Sequence, residues 1–245
     1  PIAVSEASIP TVGLAMWLRA DTGVTAAQDG AVSEWKSPNN ITAKQEDASA
    51  QPKLVSSAIG GKPTIRFDGN DSILETNLDI NPGTTPNLTV ISVFDSRTAS
   101  ADPFRKLYGA DDGGYDRAAG LDSRAETNYG IFAGNGVTAY FTLEKEKPYI
   151  TVDSWTPKTF DGWVNGNHAL VQAAVENEKG LPHMFIGGTG TDYHEPWMGD
   201  VSEMLVYTRT LSDQERTQIE DYLAKKYSIA VDHTPAPAPA TTTSQ

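Results

Sequence analysis

Short runs of alternating apolar and polar residues fill the chain between residues 10 and 210, and turn residues separate them. These runs cover residues 14–19, 63–68, 88–94, 137–143, 148–152, 183–187 and 201–207. Turn signals such as Asn165-Gly166 lie between the runs and are typical of tight hairpins. Period-two alternation indicates half-buried antiparallel strands, and no helical period lies between them. The pattern therefore predicts an all-β, two-sheet antiparallel sandwich and argues against an α/β fold.

A period close to that of an α-helix follows over residues 212–227. Ser212 is a good N-cap residue, and Glu215 lies three positions later, as in a capping box. Lys225 and Lys226 complement the helix dipole at the far end. The apolar residues share one face of this segment: Ile219, Tyr222, Leu223 and Tyr227. We therefore expect one C-terminal amphipathic helix that packs against the sandwich.

Composition narrows the possible partners. The 245 residues include no cysteine, which excludes disulfides, zinc–thiolate sites and thiol nucleophiles. The formal net charge is −13, and a surface this negative repels nucleic-acid phosphates and anionic lipid headgroups. No stretch is apolar for long enough to cross a bilayer. We therefore expect no nucleic-acid partner and no direct membrane insertion.

Both ends of the chain differ from this central region. Residues 231–245 are rich in proline, alanine and threonine, a composition typical of linkers between extracellular modules, although a frayed terminus is the alternative. The chain begins at Pro1 and carries no targeting pattern. We expect a lead-in over residues 1–11, one domain over residues 12–230 and a linker over residues 231–245. The chain would then be a module of a longer exported protein, outside the cell or on its surface, beside neighbouring domains.

Four segments resemble the LamG-like jelly-roll domains of large bacterial surface proteins, within the concanavalin A-like lectin/glucanase superfamily. They read LAMWLRADTGV at residues 14–24, PTIRFDGND at 63–71, VNG at 164–166 and GDVSEMLVYTRTLSDQE at 199–215. The resemblance covers roughly residues 12–228, and the last segment is the most specific. It implies a jelly roll with one concave face. Members of the superfamily bind sugars, often with calcium, or are glycosidases, lyases or structural modules, so fold alone does not decide the function.

A frame for catalysis is missing from the sequence. Glycoside hydrolysis needs two positioned carboxylates, and the glucanases of this superfamily carry an E-x-D-x-x-E strand that this chain lacks. The histidines, at positions 168, 183, 194 and 233, follow no recognisable pattern. We therefore expect no enzymatic activity.

The loop YGADDGGYDR, at residues 108–117, is the best candidate metal site. Asp111, Asp112 and Asp116 bring three carboxylates together, and the glycines let backbone carbonyls complete the roughly six to eight oxygen ligands of calcium. The alternative is a solvated acidic turn in which Arg117 supplies the counter-charge. The frame of an EF-hand is absent. The sequence thus predicts calcium at this loop and leaves the simpler interpretation open.

Sugar sites combine an aromatic platform with amide and carboxylate groups that form hydrogen bonds. Trp155 lies in the turn-like sequence DSWTP, so we expect an exposed indole that can serve as a platform, and Tyr115 is a comparable candidate. A second polar loop, at residues 188–196, adds three candidate ligand-binding residues: Asp192, Tyr193 and His194.

Three functional hypotheses follow from these features. The first is a non-catalytic carbohydrate-binding or adhesion module that recognises a glycan or cell-surface polysaccharide, with calcium as a candidate cofactor. The second is a structural spacer or domain-docking module without a ligand of its own. The third is a polysaccharide-degrading enzyme. The acidic loops favour the first hypothesis, and the lack of a strong sugar-site pattern favours the second.

Overall fold

The alternation along the chain corresponds to strands with one face turned to a common interior. The computed structural model describes residues 9–124, 128–176, 179–190 and 195–234. Within these ranges, antiparallel sheets of eight and nine strands form a sandwich, which confirms the all-β prediction. Sheet I contains β1 (Leu14–Arg19), β5 (Lys53–Val55), β6 (Thr64–Asp68), β8 (Leu88–Ser96), β13 (Tyr149–Trp155), β14 (Thr159–Val164), β15 (Asn167–Ala174) and β17 (Met198–Tyr207). Sheet II contains β2 (Val24–Ala26), β3 (Val32–Lys36), β4 (Thr42–Lys44), β7 (Leu74–Thr76), β9 (Arg105–Gly109), β10 (Ala118–Leu121), β11 (Tyr129–Phe132), β12 (Val137–Phe141) and β16 (Phe185–Ile186).

Strand β17 lies at the centre of sheet I. Strand β8 pairs with it along one side. Two strands share its other side: β6 pairs with residues 198–201, and β1 pairs with residues 203–207. Sheet I runs in the order β15-β14-β13-β8-β17-β6-β5, and sheet II in the order β12-β11-β10-β9-β16-β7-β4-β3-β2. Two short 3₁₀ turns, Ala48–Ala50 and Ile59–Gly61, precede β5 and β6.

Sheet I is buried on both faces. In β8, Val90 and Phe94 belong to the core between the sheets, whereas Ile91 and Val93 belong to a second apolar cluster on the outer face. A strand covered on both faces is buried at almost every position, as β8 and β17 are. The outer face of sheet I is therefore used for folding.

Helix α1 (Asp213–Tyr227) covers that outer face, as predicted. Ser212 Oγ accepts the backbone N–H of Glu215, and the side chain of Glu215 accepts the backbone N–H of Ser212, so the capping box is confirmed. Arg209 forms an ion pair with Glu215 at 2.6 Å. No helix in the described ranges is both long and apolar enough to cross a membrane.

A buried carboxylate joins this helix to sheet I. Glu203 of β17 is fully buried. It accepts hydrogen bonds from Trp17 Nε1 at 2.6 Å and from the Tyr227 hydroxyl at 2.7 Å. Lys226 Nζ lies 2.8 Å from the same side chain. Because these partners come from β1 and α1, one carboxylate connects three elements and its burial is compensated by direct partners.

The segments that carry the LamG-like resemblance meet in this part of the sandwich. Asp200, from the GDVSE segment, forms a two-pronged ion pair with Arg66, from the PTIRFDGND segment, with both contacts at 2.7 Å. The hairpin turn between β14 and β15 places Asn165 and Gly166 at φ of 47° and 85°, as the V-N-G segment predicts. These segments thus stabilise the sandwich.

The outer face of sheet II is lined by small residues in its middle strands. Gly109 pairs with Ala118 of β10 and with Phe185 of β16. A Cβ atom on Gly109 would lie 2.6 Å from the Ala118 Cβ and 3.0 Å from Cγ2 of Thr189. Thr189 lies within residues 187–190, which follow β16, and packs against this face. Glycine is required because Ala118 and Thr189 both approach this position so closely.

Candidate functional site

The indole of Trp155 does not form a surface platform. Strand β13 continues through the turn-like sequence as far as Trp155, whose side chain is 0% exposed. Asp153 lies between the sheets, where it accepts the hydroxyls of Tyr108 at 2.7 Å and Tyr140 at 2.5 Å. Burial raises the pKa of Asp153 to about 6. The prediction of an exposed Trp155 is wrong because a hydrogen-bonded core aspartate has the sequence signature of a turn.

The predicted calcium loop closes on its own backbone. Asp111 Oδ1 accepts the N–H of Asp116 at 2.9 Å, and Asp116 Oδ2 accepts the N–H of Asp112 at 3.2 Å. Asp111 and Asp116 are buried, whereas Asp112 is exposed. Burial raises the pKa of Asp116 to about 6 and also raises the pKa of Asp111. Arg117, the predicted counter-charge, donates to the carbonyl oxygen of Thr85 at 2.6 Å.

The second predicted loop contacts the first. Glu195 is described, and its carbonyl oxygen accepts the N–H of Lys106 at 2.8 Å, which fixes the end of the loop on β9. A Cβ atom on Gly190 would lie 3.6 Å from the carbonyl oxygen of Asp111. Three predicted ligand residues lie outside the described residues, and their roles stay predictions: Asp192, Tyr193 and His194.

A set of opposite charges gathers where these loops meet. Lys106 Nζ lies 2.6 Å from Asp122 Oδ2, and both side chains are 0% exposed. Asp122 also accepts Nε of Arg124 at 2.8 Å. Glu195 Oε1 lies 3.6 Å from Arg124, and among the described residues its Oε2 has no hydrogen-bond partner. We call this set the loop cluster; it comprises Phe104, Lys106, Asp111, Tyr115, Asp116, Asp122, Arg124, Phe132 and Glu195.

Aromatic rings surround the guanidinium of the loop cluster. Arg124 Cζ lies 3.9 Å from the ring centroid of Phe104 and 5.0 Å from that of Tyr115. The ring of Phe132 is third, at 5.4 Å. Cations within about 6 Å of a ring face are attracted to it. Arg124 is exposed and Tyr115 is half-buried, so this side of the cluster faces solvent and Tyr115 stays a candidate platform.

Carboxylates outnumber cations in the loop cluster. Burial opposes the ionisation of Asp122, yet hydrogen bonds from Arg124 and the charge of Lys106 hold its pKa below the usual range. Burial raises the pKa of Glu195 against the attraction of the same two cations. With Asp111 also close enough to raise that pKa, the cluster favours a proton, a cation or a hydrogen-bond donor such as a sugar hydroxyl.

The backbone of the loop cluster is strained at two positions. Tyr115 has a φ of 60° and Glu195 a φ of 35°. Such values cost energy for residues other than glycine, and they gather at functional sites. Two such positions thus lie within the loop cluster.

Sequence reasoning missed the cations of this site. Lys106 and Asp122 lie in the runs KLYG and AAGLD, among apolar and small residues. A charge in a run of that kind is costly unless it is paired, so each of them was a signal of a buried ion pair. Arg124 had no comparable signal, because its rings come from separate neighbouring segments of the chain.

Comparisons with known proteins support the fold. No family model and no curated protein matches this chain. A Trypanosoma rangeli sialidase in complex with sialic acid has a TM-score of 0.60 at 15% identity, over 91% of this chain but only 35% of that chain. Domain 4 of AbnA, a GH43 extracellular arabinanase from Geobacillus stearothermophilus in complex with arabinotriose, has a TM-score of 0.55 at 12% identity, over 84% of this chain and 98% of that one.

A third solved structure with a similar fold is a binding domain. The binding domain of Paraclostridial Mosquitocidal Protein 1 has a TM-score of 0.60 at 12% identity, over 85% of this chain and 52% of that chain. These similarities support the class of fold, a two-sheet β-sandwich of the jelly-roll kind. At such identities they carry no residue roles to this chain.

Proposed function

We propose that this chain is a non-catalytic carbohydrate-binding domain and that the loop cluster is its glycan site. The observation that carries the proposal is the solvent-facing pair of Tyr115 and Arg124 beside Glu195, whose side chain is 12% exposed and whose buried Oε2 has no hydrogen-bond partner among the described residues. A tyrosine ring provides the apolar surface on which a sugar ring stacks, while a guanidinium and a carboxylate bond its hydroxyls. The buried pair Lys106–Asp122 holds these groups in place before a ligand binds.

The comparisons support the class of ligand. Two of the similar structures were solved with a carbohydrate bound, arabinotriose in one and sialic acid in the other. The LamG-like assignment is part of the same proposal, and so is a place in an exported multidomain protein. Its support is the structural use of the resembling segments, which supply the Arg66–Asp200 ion pair and the capped helix.

Calcium is a separate prediction of this proposal. Among the described residues, no group of three or more histidine, aspartate or glutamate side chains is arranged to hold a metal. Asp111 and Asp116 each use a carboxylate oxygen to accept a backbone N–H group of their own loop. The described residues alone therefore do not supply a calcium shell. Melting the protein in millimolar calcium and in chelator tests the prediction, because an ion that binds only the folded state raises the melting temperature.

The spacer and enzyme hypotheses make different predictions. A spacer without a ligand binds no glycan, and an enzyme releases new reducing ends from a polysaccharide. We therefore expect binding without turnover on a panel of neutral and acidic polysaccharides. Release of reducing ends that Glu195→Gln abolishes would replace this proposal with the enzyme hypothesis.

The site itself is tested by glycan-array binding, followed by calorimetry, with variants of the loop cluster. Arg124→Ala and Tyr115→Asn should each lower affinity about tenfold, or about 1.4 kcal/mol. Lys145→Ala, which removes an exposed cation elsewhere, is the control for Arg124→Ala. Unchanged affinity in both cluster variants would move the site away from the loop cluster.

A further inference from the structure

The outer face of sheet II carries an open groove beyond the loop cluster. A cleft of about 490 Å³ is lined by residues of β4, β7 and β16, and a second of about 360 Å³ continues it over β2 and β3. The two clefts share Lys44, Gln45 and Glu46. We call them together the sheet II groove.

Strand register explains the direction of the groove. Outward residues lie opposite one another in one row: Thr25 with Glu34, Glu34 with Lys44, Lys44 with Glu75, and Glu75 with Phe185. The groove therefore crosses the strands at right angles. From β2 to β16 it spans four interstrand steps, about 19 Å at about 4.8 Å each. This length fits an oligosaccharide rather than one sugar.

The lining has the chemistry of a sugar site. Carboxylates come from Glu34, Glu46 and Glu75, and amides from Gln45 and Asn77. Hydroxyl groups of Thr25, Ser33 and Thr42 complete the polar surface. Carboxylates and amides bond sugar hydroxyls, which donate and accept together.

Aromatic side chains lie at the end of the groove nearest the loop cluster. Phe185 is buried and forms part of the floor. The side chain of His183 is 45% exposed, and its Nε2 lies 3.8 Å from Glu75. The imidazole can therefore contact a sugar ring directly while Glu75 remains available to a hydroxyl.

The negative charge of the groove lining favours neutral glycans over acidic ones. The described lining holds three carboxylates, whereas its lysine, Lys44, lies 3.3 Å from Glu34 and is already paired. A uronate, sialate or sulfated chain would meet repulsion along the groove. A neutral chain would meet none.

The position of the groove also separates a sugar chain from a peptide. Extended peptides bind sheets by adding a strand to an edge. The sheet II groove instead lies across the face of strands that are paired on both sides, apart from the edge strand β2. Its backbone groups are therefore already bonded, and recognition depends on side chains.

We propose that the sheet II groove is a second glycan site that binds an internal stretch of a neutral linear polysaccharide, through Glu75, Glu46 and His183. The inference shares with the proposed function only the chemical class of the ligand, because its residues are separate from the loop cluster.

Affinity for neutral linear oligosaccharides of increasing length tests the groove directly. The probes are arabinan and β-glucan oligosaccharides, with polygalacturonate as the acidic comparison. We expect affinity to rise with chain length until the groove is filled, and then to level off. Glu46→Ala combined with Glu75→Ala should weaken the longest neutral chain about tenfold. Glu144→Ala, which removes a carboxylate from an exposed loop, should leave that affinity unchanged.

Charge reversal provides the second arm. Glu46→Lys combined with Glu75→Lys should lose the neutral chain and gain affinity for polygalacturonate by at least tenfold. Circular dichroism melts confirm that each variant folds. Parent-like affinity for every probe in both groove variants overturns the groove while leaving the loop cluster proposal intact. A parent protein that binds no neutral glycan also overturns the groove alone, and one that binds no glycan of either kind overturns both proposals.

Discussion

The outer face of each sheet carries a glutamate, and the two glutamates differ in their hydrogen-bond partners. On sheet I, Glu203 is buried under helix α1 with Trp17, Lys226 and Tyr227 as direct partners. On sheet II, Glu195 also lies near two cations, yet one of its oxygens has no hydrogen-bond partner among the described residues. The amphipathic helix α1 covers the first face, whereas on the second face Thr189 packs over small residues.

The difference shows which face the fold can give to a ligand. A buried polar group with all its partners in place stabilises one packing arrangement. A group left without a partner costs stability, and binding sites often retain such groups because a ligand completes them. Of these two carboxylates, Glu203 is therefore structural, whereas Glu195 retains unused hydrogen-bonding capacity among the described residues.

Removal of Glu203 should have the largest effect on stability and therefore tests the contrast between the two faces most strongly. Glu203→Ala removes the buried acceptor of Trp17 and Tyr227 and leaves Lys226 with Asp21, at 3.0 Å, as its remaining carboxylate, so we expect a loss of about 3 kcal/mol in the free energy of unfolding. Urea denaturation measures it. Glu195→Gln, the matched change on the other face, should alter stability by no more than about 1 kcal/mol. Equal losses in the two variants would show that both faces are structural.

A second test uses the pH dependence of stability, to which Asp153 contributes in the core between the two sheets. The pKa of Asp153 is about 6 in the folded protein against 3.8 as its ordinary value. The folded state therefore binds this proton more tightly than the unfolded state. The contribution of Asp153 is fully present below pH 3.8 and is lost as the pH rises through about 6. The shift corresponds to about 3 kcal/mol at most.

We therefore expect the parent protein to lose stability between about pH 4 and pH 6, a range set by these two pKa values. Asp116 and Asp95, whose pKa values are also raised to about 6, act in the same direction. Asp153→Asn should be more stable than the parent at pH 7 and should flatten part of this profile. Thermal melts from pH 4 to pH 8 measure it. A parent whose stability rises steadily over that range would contradict the account.

The helix cap offers a smaller test of the structural face. Ser212→Ala removes the hydrogen bond to the backbone N–H of Glu215, and we expect a loss of about 1 kcal/mol in the free energy of unfolding. The same variant should bind glycans as the parent does, because the helix is on the opposite face. Ser123→Ala, which removes an exposed serine hydroxyl beside the loop cluster, is the control for the loss of a hydroxyl. Weaker glycan binding by Ser212→Ala would break the division between the faces.

Strain at Tyr115 gives the smallest expected effect on stability. Asparagine tolerates the left-handed backbone better than a bulky residue does, so Tyr115→Asn should leave the melting temperature unchanged or slightly higher while glycan binding falls. Differential scanning fluorimetry and calorimetry on the same sample measure both quantities. A clear loss of stability with normal binding would make Tyr115 a packing residue.

Much of the fold follows from local sequence signals. Strand-like sequences at residues 88–94 and 201–207 predicted two central strands, and Ser212 with Glu215 predicted the start of the helix. These predictions are correct because the residues that carry the sequence signal also form the structural element. Trp155 failed for a related reason: Asp153 resembles a turn residue locally, and its hydroxyl partners come from distant strands.

The candidate site was predictable only in part. The loops that contain Asp111 and Glu195 were both selected, yet nothing in either loop indicates that they meet. The sheet II groove was missed because its residues, such as Lys44 and Glu75, are ordinary outward positions of short strands. Cross-strand register, which the sequence does not specify locally, brings them into one row.

Chemical-shift mapping by NMR tests the central claim most directly. The strongest neutral oligosaccharide from the array would be titrated into ¹⁵N-labelled protein. We predict that the shifted amides lie on the outer face of sheet II, around Tyr115, Arg124 and Glu195, and along the groove through Lys44 and Glu75. Amides of helix α1 should stay unchanged. Shifts centred on helix α1, or no shift with any glycan, would contradict the account.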